Sequence, residues 1–317
     1  MSQPRVKAGS QPGLYNRSMD VENNVTDTAL IFEGGGMRAA YTAAVVTTLL
    51  NEGIFFDYVA GISAGSSHTA NYVSRDPVRA HHSFVDFVGD PNFGSWKTWF
   101  EGKGRFNAEY IYEQSYFPDG PLPFDYEMFM ANPARVRIGA YDVSAGQTIY
   151  WSKRAMADAV DLMTRVRASS SLPFSMPPTV IDDKQYVDGA LGSGGGIPLS
   201  VAKKDGFDKF FVVLSREKSY VKPSYAPYSP LLKAYFRKHP TIAEGILRRP
   251  GEYNSTRQQL LELEKQGKAY LFFPEIMPVT NKTTDVAQLQ RAYNIGLDQA
   301  IREVPRWREF LNLPSEI

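Results

Sequence analysis

Ser63 lies in Gly61-Ile62-Ser63-Ala64-Gly65. The pattern Gly-x-Ser-x-Gly suits a serine at the apex of a sharp strand-to-helix turn, where flanking side chains would clash and the raised hydroxyl can attack a carbonyl. A second cluster, Gly34-Gly35-Gly36, precedes Met37 and Arg38. Such a run leaves backbone N–H groups uncovered, fit to hold either a phosphate or the oxyanion of a tetrahedral intermediate. The dinucleotide signature fails, because Ala39 stands where its third glycine belongs, and no Gly-Lys-Ser/Thr follows to make a nucleoside-triphosphate loop. Arg38, in the first turn of the following helix, is poorly placed for the helix dipole. It is either a solvated charge, a support for the loop or an attractor of anionic head groups.

The third cluster is Asp188-Gly189-Ala190, followed by Gly192 to Gly196. An aspartate at a strand end before small residues can face a cleft as a general base. The plainer reading is an Asp-Gly turn. Serine hydrolases usually recruit histidine as base, and the chain has four: His68, His81, His82 and His239. His68 would lie a turn beyond Ser63 and point away from the apex, and His81 and His82 fall in a surface helix. His239 alone fits the order Ser, Asp, His. Two options stand at this point: a triad through His239, or a dyad in which a carboxylate takes the serine proton.

These residues need rigid elements beneath them. Thr28 to Phe32 reads as a buried strand running into the first glycine loop, and Met37 to Leu50 as a helix, with Tyr41, Val45 and Leu49 recurring every four positions. Gly53 would end it. Phe55 to Ala60 is a second strand entering the serine turn, followed by helix to Ser74. This alternation predicts an α/β fold around a parallel sheet. Farther on, strands are expected at 135–141 and 147–151, a hairpin at 179–181 and 185–187, and strands at 210–214 and 269–273. Helices are expected at 153–166, around 240–248 and 254–266, and at 289–301. Residues 91–133, rich in aromatic residues and broken by Gly and Pro, read as short helices and loops.

Composition narrows the partners. Among 317 residues, 35 basic against 34 acidic give a net charge of +1, no support for nucleic-acid binding. The absence of cysteine excludes disulfides and thiolate chemistry. Clustered carboxylates of the kind that hold calcium are not seen, and no cofactor is expected. No apolar run reaches the roughly 20 residues that span a bilayer, and residues 1–26 lack a secretory h-region. The expectation is a cytoplasmic protein, with peripheral membrane contact open. Residues 1–26 read as a flexible lead-in and 27–317 as a single hydrolase domain.

Together the motifs resemble the patatin-like phospholipase family, marked by a Gly-Gly-Gly-x-Arg/Lys loop, a Gly-x-Ser-x-Gly elbow and an Asp-Gly-Gly/Ala motif in that order. Ala168-Ser169-Ser170-Ser171-Leu172-Pro173 resembles the family's Ala-Ser-x-x-x-Pro segment. The similarity runs from about Thr28 to Leu214. It implies a three-layer α/β/α sandwich with a mainly parallel central sheet, and a Ser-Asp dyad without histidine. It assigns Ser63 as nucleophile, Asp188 as base and Gly34, Gly35 and Gly36 as the oxyanion hole, with Arg38, Gly61, Gly65 and Gly189 in support. The implied activity is hydrolysis of lipid carboxylic esters, of phospholipase A or lysophospholipase type, through an acyl-Ser63 intermediate. Transfer of the acyl group to an alcohol is the alternative outcome. Ala39 departs from the glycine common there. Two aromatic and basic stretches offer membrane contact: Phe93 to Phe117, including Trp96, Trp99, Phe100, Lys97 and Lys103, and Tyr220 to Lys238. The same rings would equally serve as core or acyl pocket.

Overall fold

The computed structural model describes residues 21–94 and 105–314; residues 1–20, and Trp96, Lys97, Trp99, Phe100 and Lys103, lie outside them. In chain order the elements are β1 (Ala29–Phe32), α1 (Ala39–Asn51), β2 (Tyr58–Ile62), α2 (Ala64–Val73), α3 (Pro77–His82), α4 (Tyr126–Ala131), β3 (Arg135–Asp142), β4 (Gln147–Trp151), α5 (Ala159–Ser170), β5 (Thr179–Ile181), β6 (Lys184–Asp188), α6 (Leu199–Lys204), β7 (Phe210–Val213), α7 (Ser229–Tyr235), α8 (Pro240–Lys265), β8 (Ala269–Phe272) and α9 (Val286–Leu311).

The sheet runs β5-β6-β3-β2-β1-β7-β8, with β4 also on β3. The five strands from β3 to β8 are parallel, while β4 and β6 meet β3 antiparallel. β1 is apolar and buried at every position, as a strand covered on both faces must be. Its alternate side chains serve different layers. Leu30 and Phe32 join the core made with Tyr41 and Val45 of α1, Tyr72 of α2, Val166 of α5 and Trp307 of α9. Ala29 and Ile31 join that made with Leu199 of α6 and Leu260 of α8. The fold is a three-layer α/β/α sandwich with a mostly parallel sheet.

Four expected helices differ from those observed. The one at 153–166 is a short 3₁₀ turn, Lys153–Ala155, followed by α5. Asp158 sets its start, accepting the Asp161 N–H at 2.7 Å, a capping bond that outweighs apolar spacing. The two helices at 240–248 and 254–266 are one, α8, running through Pro250. The helix at 289–301 extends through Pro305 to Leu311. A proline inside a helix costs about 3 kcal/mol, but buried Trp307 and Leu311 lie beyond Pro305 and carry the helix into the core. Of the expected lead-in, residues 21–26 are tied down: the amides of Asn24 and Val25 donate to the Phe55 carbonyl, each at 2.9 Å.

Candidate active site

β2 ends at Ile62 and α2 begins at Ala64, so Ser63 alone makes the turn. Its φ of 57° and ψ of −128° are strained for a side chain-bearing residue, a condition that persists only when the surroundings enforce it. They do so by close approach and by hydrogen bonds. A Cβ on Gly61 would lie 2.0 Å from the Gly65 carbonyl oxygen, and one on Gly65 would lie 2.3 Å from that of Phe32. The elbow therefore needs both glycines. The Ser63 amide donates to Ser169 Oγ at 2.8 Å, and that hydroxyl donates to the Gly139 carbonyl on β3 at 2.6 Å.

Asp188 closes β6, opposite Ala140 of β3. It is 2% exposed. One carboxylate oxygen accepts the Ala190 N–H at 2.9 Å, and the carboxylate lies near enough to the Ser63 hydroxyl to be stabilised by it. Burial pushes its pKa above the usual carboxylate range, opposed by nearby Arg249, the Ala190 N–H and the Ser63 hydroxyl. A carboxylate so raised is a better proton acceptor than one in water. Gly189 lets this turn lie against β3, since a Cβ there would meet the Gly139 carbonyl oxygen at 2.5 Å.

The first glycine loop leaves β1 and lies beside both residues. Gly34 donates its N–H to the Gly196 carbonyl at 3.0 Å, which withdraws it from the three expected oxyanion donors. The N–H groups of Gly35 and Gly36 have no such acceptor among the described residues. Ala64, at the first position of α2, adds a third N–H of the kind that helix starts leave open. Arg38 is not a solvated charge: it is 7% exposed, beneath the loop.

Gly34 to Arg38, Ser63, Ala64 and Asp188 line one cleft of about 1160 Å³, counting its open mouth. Away from Ser63 its wall is apolar, with Phe84, Phe87, Phe93, Phe106, Leu122 and Met163. Phe93 and Phe106, weighed above as membrane-contact residues, are thus cleft wall. Among the described residues lining the cleft there is no histidine. His68 is fully buried between Phe32 and Phe84 and shares a hydrogen bond with Thr42 at 2.9 Å. Burial pushes its pKa down to about 3, so the ring is neutral. His239 stands at the start of α8, its side chain making no capping hydrogen bond.

Two participants were not singled out in the sequence. Ser169 lies in the segment flagged only by resemblance, and Arg249 sits mid-helix in α8 with nothing in its neighbours to mark it.

The patatin-like phospholipase model matches residues 30–202, more than half of the chain. The chain belongs to the patatin-like phospholipase family. Membership places it among the lipid acyl hydrolases, and the match spans both Ser63 and Asp188. Residues 239–312 match a separate domain of unknown function, DUF6363. Among solved structures, VipD from Legionella pneumophila is similar over 90% of this chain and 67% of its own, at 11% identity and a TM-score of 0.47. No curated protein matches. As a patatin-like chain it has, among the described residues, no helix long and apolar enough to cross a membrane.

Proposed function

We propose that this patatin-like protein cleaves carboxylic esters of lipids with a Ser63–Asp188 dyad, as a phospholipase A or lysophospholipase. The observation that carries the reading is the buried Asp188 carboxylate beside the Ser63 hydroxyl, in a cleft with no histidine among its described lining residues. Asp188 accepts the Ser63 proton as the hydroxyl attacks the ester carbonyl. The N–H groups of Gly35 and Gly36, with that of Ala64, hold the oxyanion, each donor contributing on the order of 3 kcal/mol. The acyl chain lies along the phenylalanine wall; as the tetrahedral species collapses, protonated Asp188 gives its proton to the departing alkoxide, the alcohol leaves and acyl-Ser63 remains. Water then attacks the acyl carbon, Asp188 takes its proton, and collapse of the second tetrahedral species releases the free acid as Asp188 returns that proton to Ser63.

Acyl transfer to an alcohol would use the same acyl-enzyme, and the two outcomes separate by product analysis with glycerol present. The absence of histidine from the described wall disfavours a His239-dependent triad. We also read residues 27–317 as one folding unit, because Leu30 and Trp307 share a core across the boundary between the two family matches.

The test is a panel of p-nitrophenyl esters and phospholipids, with fluorophosphonate labelling of the protein. Ser63→Ala abolishes labelling and turnover. Asp188→Asn lowers kcat by roughly 10²–10⁴-fold, the range for losing a positioned base, and His239→Ala leaves it unchanged. Near wild-type turnover in Asp188→Asn overturns the dyad.

A further inference from the structure

The cleft has a second chemical character besides its phenylalanine wall. Arg38, Arg249 and Lys282 line it, and Asp188 is the carboxylate among the described lining residues. Behind Arg38 stand Arg216 and Lys222, near enough to perturb it and each other electrostatically. Lys222 is 9% exposed, its ammonium 4.3 Å from the centre of the Tyr253 ring; the Arg216 guanidinium lies 4.3 Å from that of Tyr220.

The compensation is thin. Glu33 is the buried carboxylate acting on both Arg38 and Lys222, and it already accepts the Ser215 N–H at 2.7 Å and the Tyr253 hydroxyl. Among the described residues, Arg38, Arg216, Lys222, Arg249 and Lys282 have no carboxylate within 4.0 Å in an ion pair. The Nε atoms of Arg38 and Arg216 are buried without a partner among the described residues. Burial, then repulsion from the neighbouring guanidinium groups, lowers Lys222 to about 7. Gathering cations in a partly desolvated wall costs stability unless an anion arrives to pair with them.

The two walls fix which part of a substrate meets the cations. With the ester carbonyl at Ser63 and the acyl chain along the phenylalanines, the alcohol half is left facing Arg38, Arg249 and Lys282. We propose that these three residues, backed by Arg216 and Lys222, bind a phosphate on the alcohol half, so that the site selects anionic glycerophospholipids over neutral glycerides. A phosphomonoester fits best, since its second negative charge matches the surplus of cations and guanidinium forks bind phosphate in bidentate fashion. This rests on the reading of Ser63 and Asp188 as the ester-cleaving pair.

Two measurements test it. In neutral detergent micelles, wild-type kcat/KM for phosphatidic acid exceeds that for diacylglycerol of the same chains at least tenfold, with phosphatidylcholine between them. Arg249→Gln and Arg216→Gln each bring the ratio at least threefold closer to one. Separately, calorimetric titration of the Ser63→Ala protein shows binding of glycerol 3-phosphate but not of glycerol, weakened at least tenfold by adding Arg249→Gln. A wild-type ratio near one, or glycerol 3-phosphate binding no tighter than glycerol, overturns the proposal. If the wild-type protein resists fluorophosphonate labelling and cleaves no ester, the dyad reading fails, and the titration still decides the phosphate site. Should Arg249→Gln not fold, Lys222→Met and the wild-type ratio carry the same decision.

Discussion

Gly34 donates its amide hydrogen to the carbonyl of Gly196, 3.0 Å away. The bond ties the loop after β1 to the second glycine run, after β6, and so fixes the glycine loop against the strand end that presents Asp188. It also divides the glycine triplet into one anchoring residue and two with free donors.

That division is testable at Gly36. Its φ of +54° is a conformation side chains rarely adopt, and an added Cβ would lie 2.7 Å from the Asn281 carbonyl oxygen. Gly36→Ala should turn the amide away from the oxyanion position and lower kcat by about 10²-fold or more, the scale of one lost donor. KM for a short p-nitrophenyl ester should change little. Steady-state kinetics with a circular-dichroism check of folding measures this; wild-type kcat in a folded Gly36→Ala protein removes Gly36 from the donor set.

Asp188 makes activity and stability respond to pH in opposite directions. Burial raises its pKa in the folded protein, so the ionised, proton-accepting form disappears on acidification at a pH above the ordinary carboxylate value of about 4. The acid limb of kcat/KM is therefore displaced upward. Stability has the reverse sign. A group whose pKa is higher folded than unfolded contributes stability below its unfolded pKa, and that contribution is lost as pH rises through the folded value. Asp188→Asn should accordingly raise Tm at pH 7–8, with an advantage that disappears below about pH 4. Equal melting temperatures of the two proteins across this range would contradict the burial argument.

Much of this site is legible in sequence because it is made by backbone close to the motifs. Gly61 and Gly65 are needed where two chain segments nearly touch, and that constraint is local and leaves a fixed spacing. The Thr28–Phe32 and Phe210–Leu214 runs are legible because strands buried on both faces must be continuously apolar. Ser169 and Arg249 were not legible as participants. Each acts across the fold, Ser169 on Ser63 over 106 positions, and nothing in the spacing of either encodes the partner. The full lengths of the helices through Pro250 and Pro305 were not legible for a related reason: the local rule against proline in helices is outweighed by long-range packing beyond it.

Ser169 offers a sharper test of how the elbow is held. Its hydroxyl satisfies both the Ser63 N–H and the Gly139 carbonyl, all fully or nearly buried. Ser169→Ala leaves both without a partner and should cost about 1–3 kcal/mol of stability. The reacting hydroxyl should drift as well, and a misplacement of about 1 Å costs about 10²-fold in turnover. Denaturant unfolding and kcat together measure it, with Ser169→Cys, a weaker donor and acceptor, expected between wild type and Ala. A stability loss with unchanged kcat would make Ser169 a packing residue only.

The last prediction concerns how a lipid reaches the cleft. Phe174 lies between cleft-lining Leu172 and Ser175, yet is 55% exposed and packs at a tilt against Tyr235, ring centres 5.1 Å apart. Tyr235 and Leu231 of α7 are 67% and 69% exposed, beside exposed Lys233, Arg237 and Lys238. Apolar side chains ringed by cations, at the rim of an acyl cleft, suit the bilayer interface, and each basic residue adds about 1 kcal/mol near an anionic leaflet. Leu231→Asp with Tyr235→Asp should weaken co-sedimentation with anionic vesicles at least tenfold, since burying one leucine contributes about 1.5–3 kcal/mol. Hydrolysis of a monomeric p-nitrophenyl ester should be retained, because neither residue lines the cleft. Undiminished vesicle binding by the double variant would move the membrane contact away from α7.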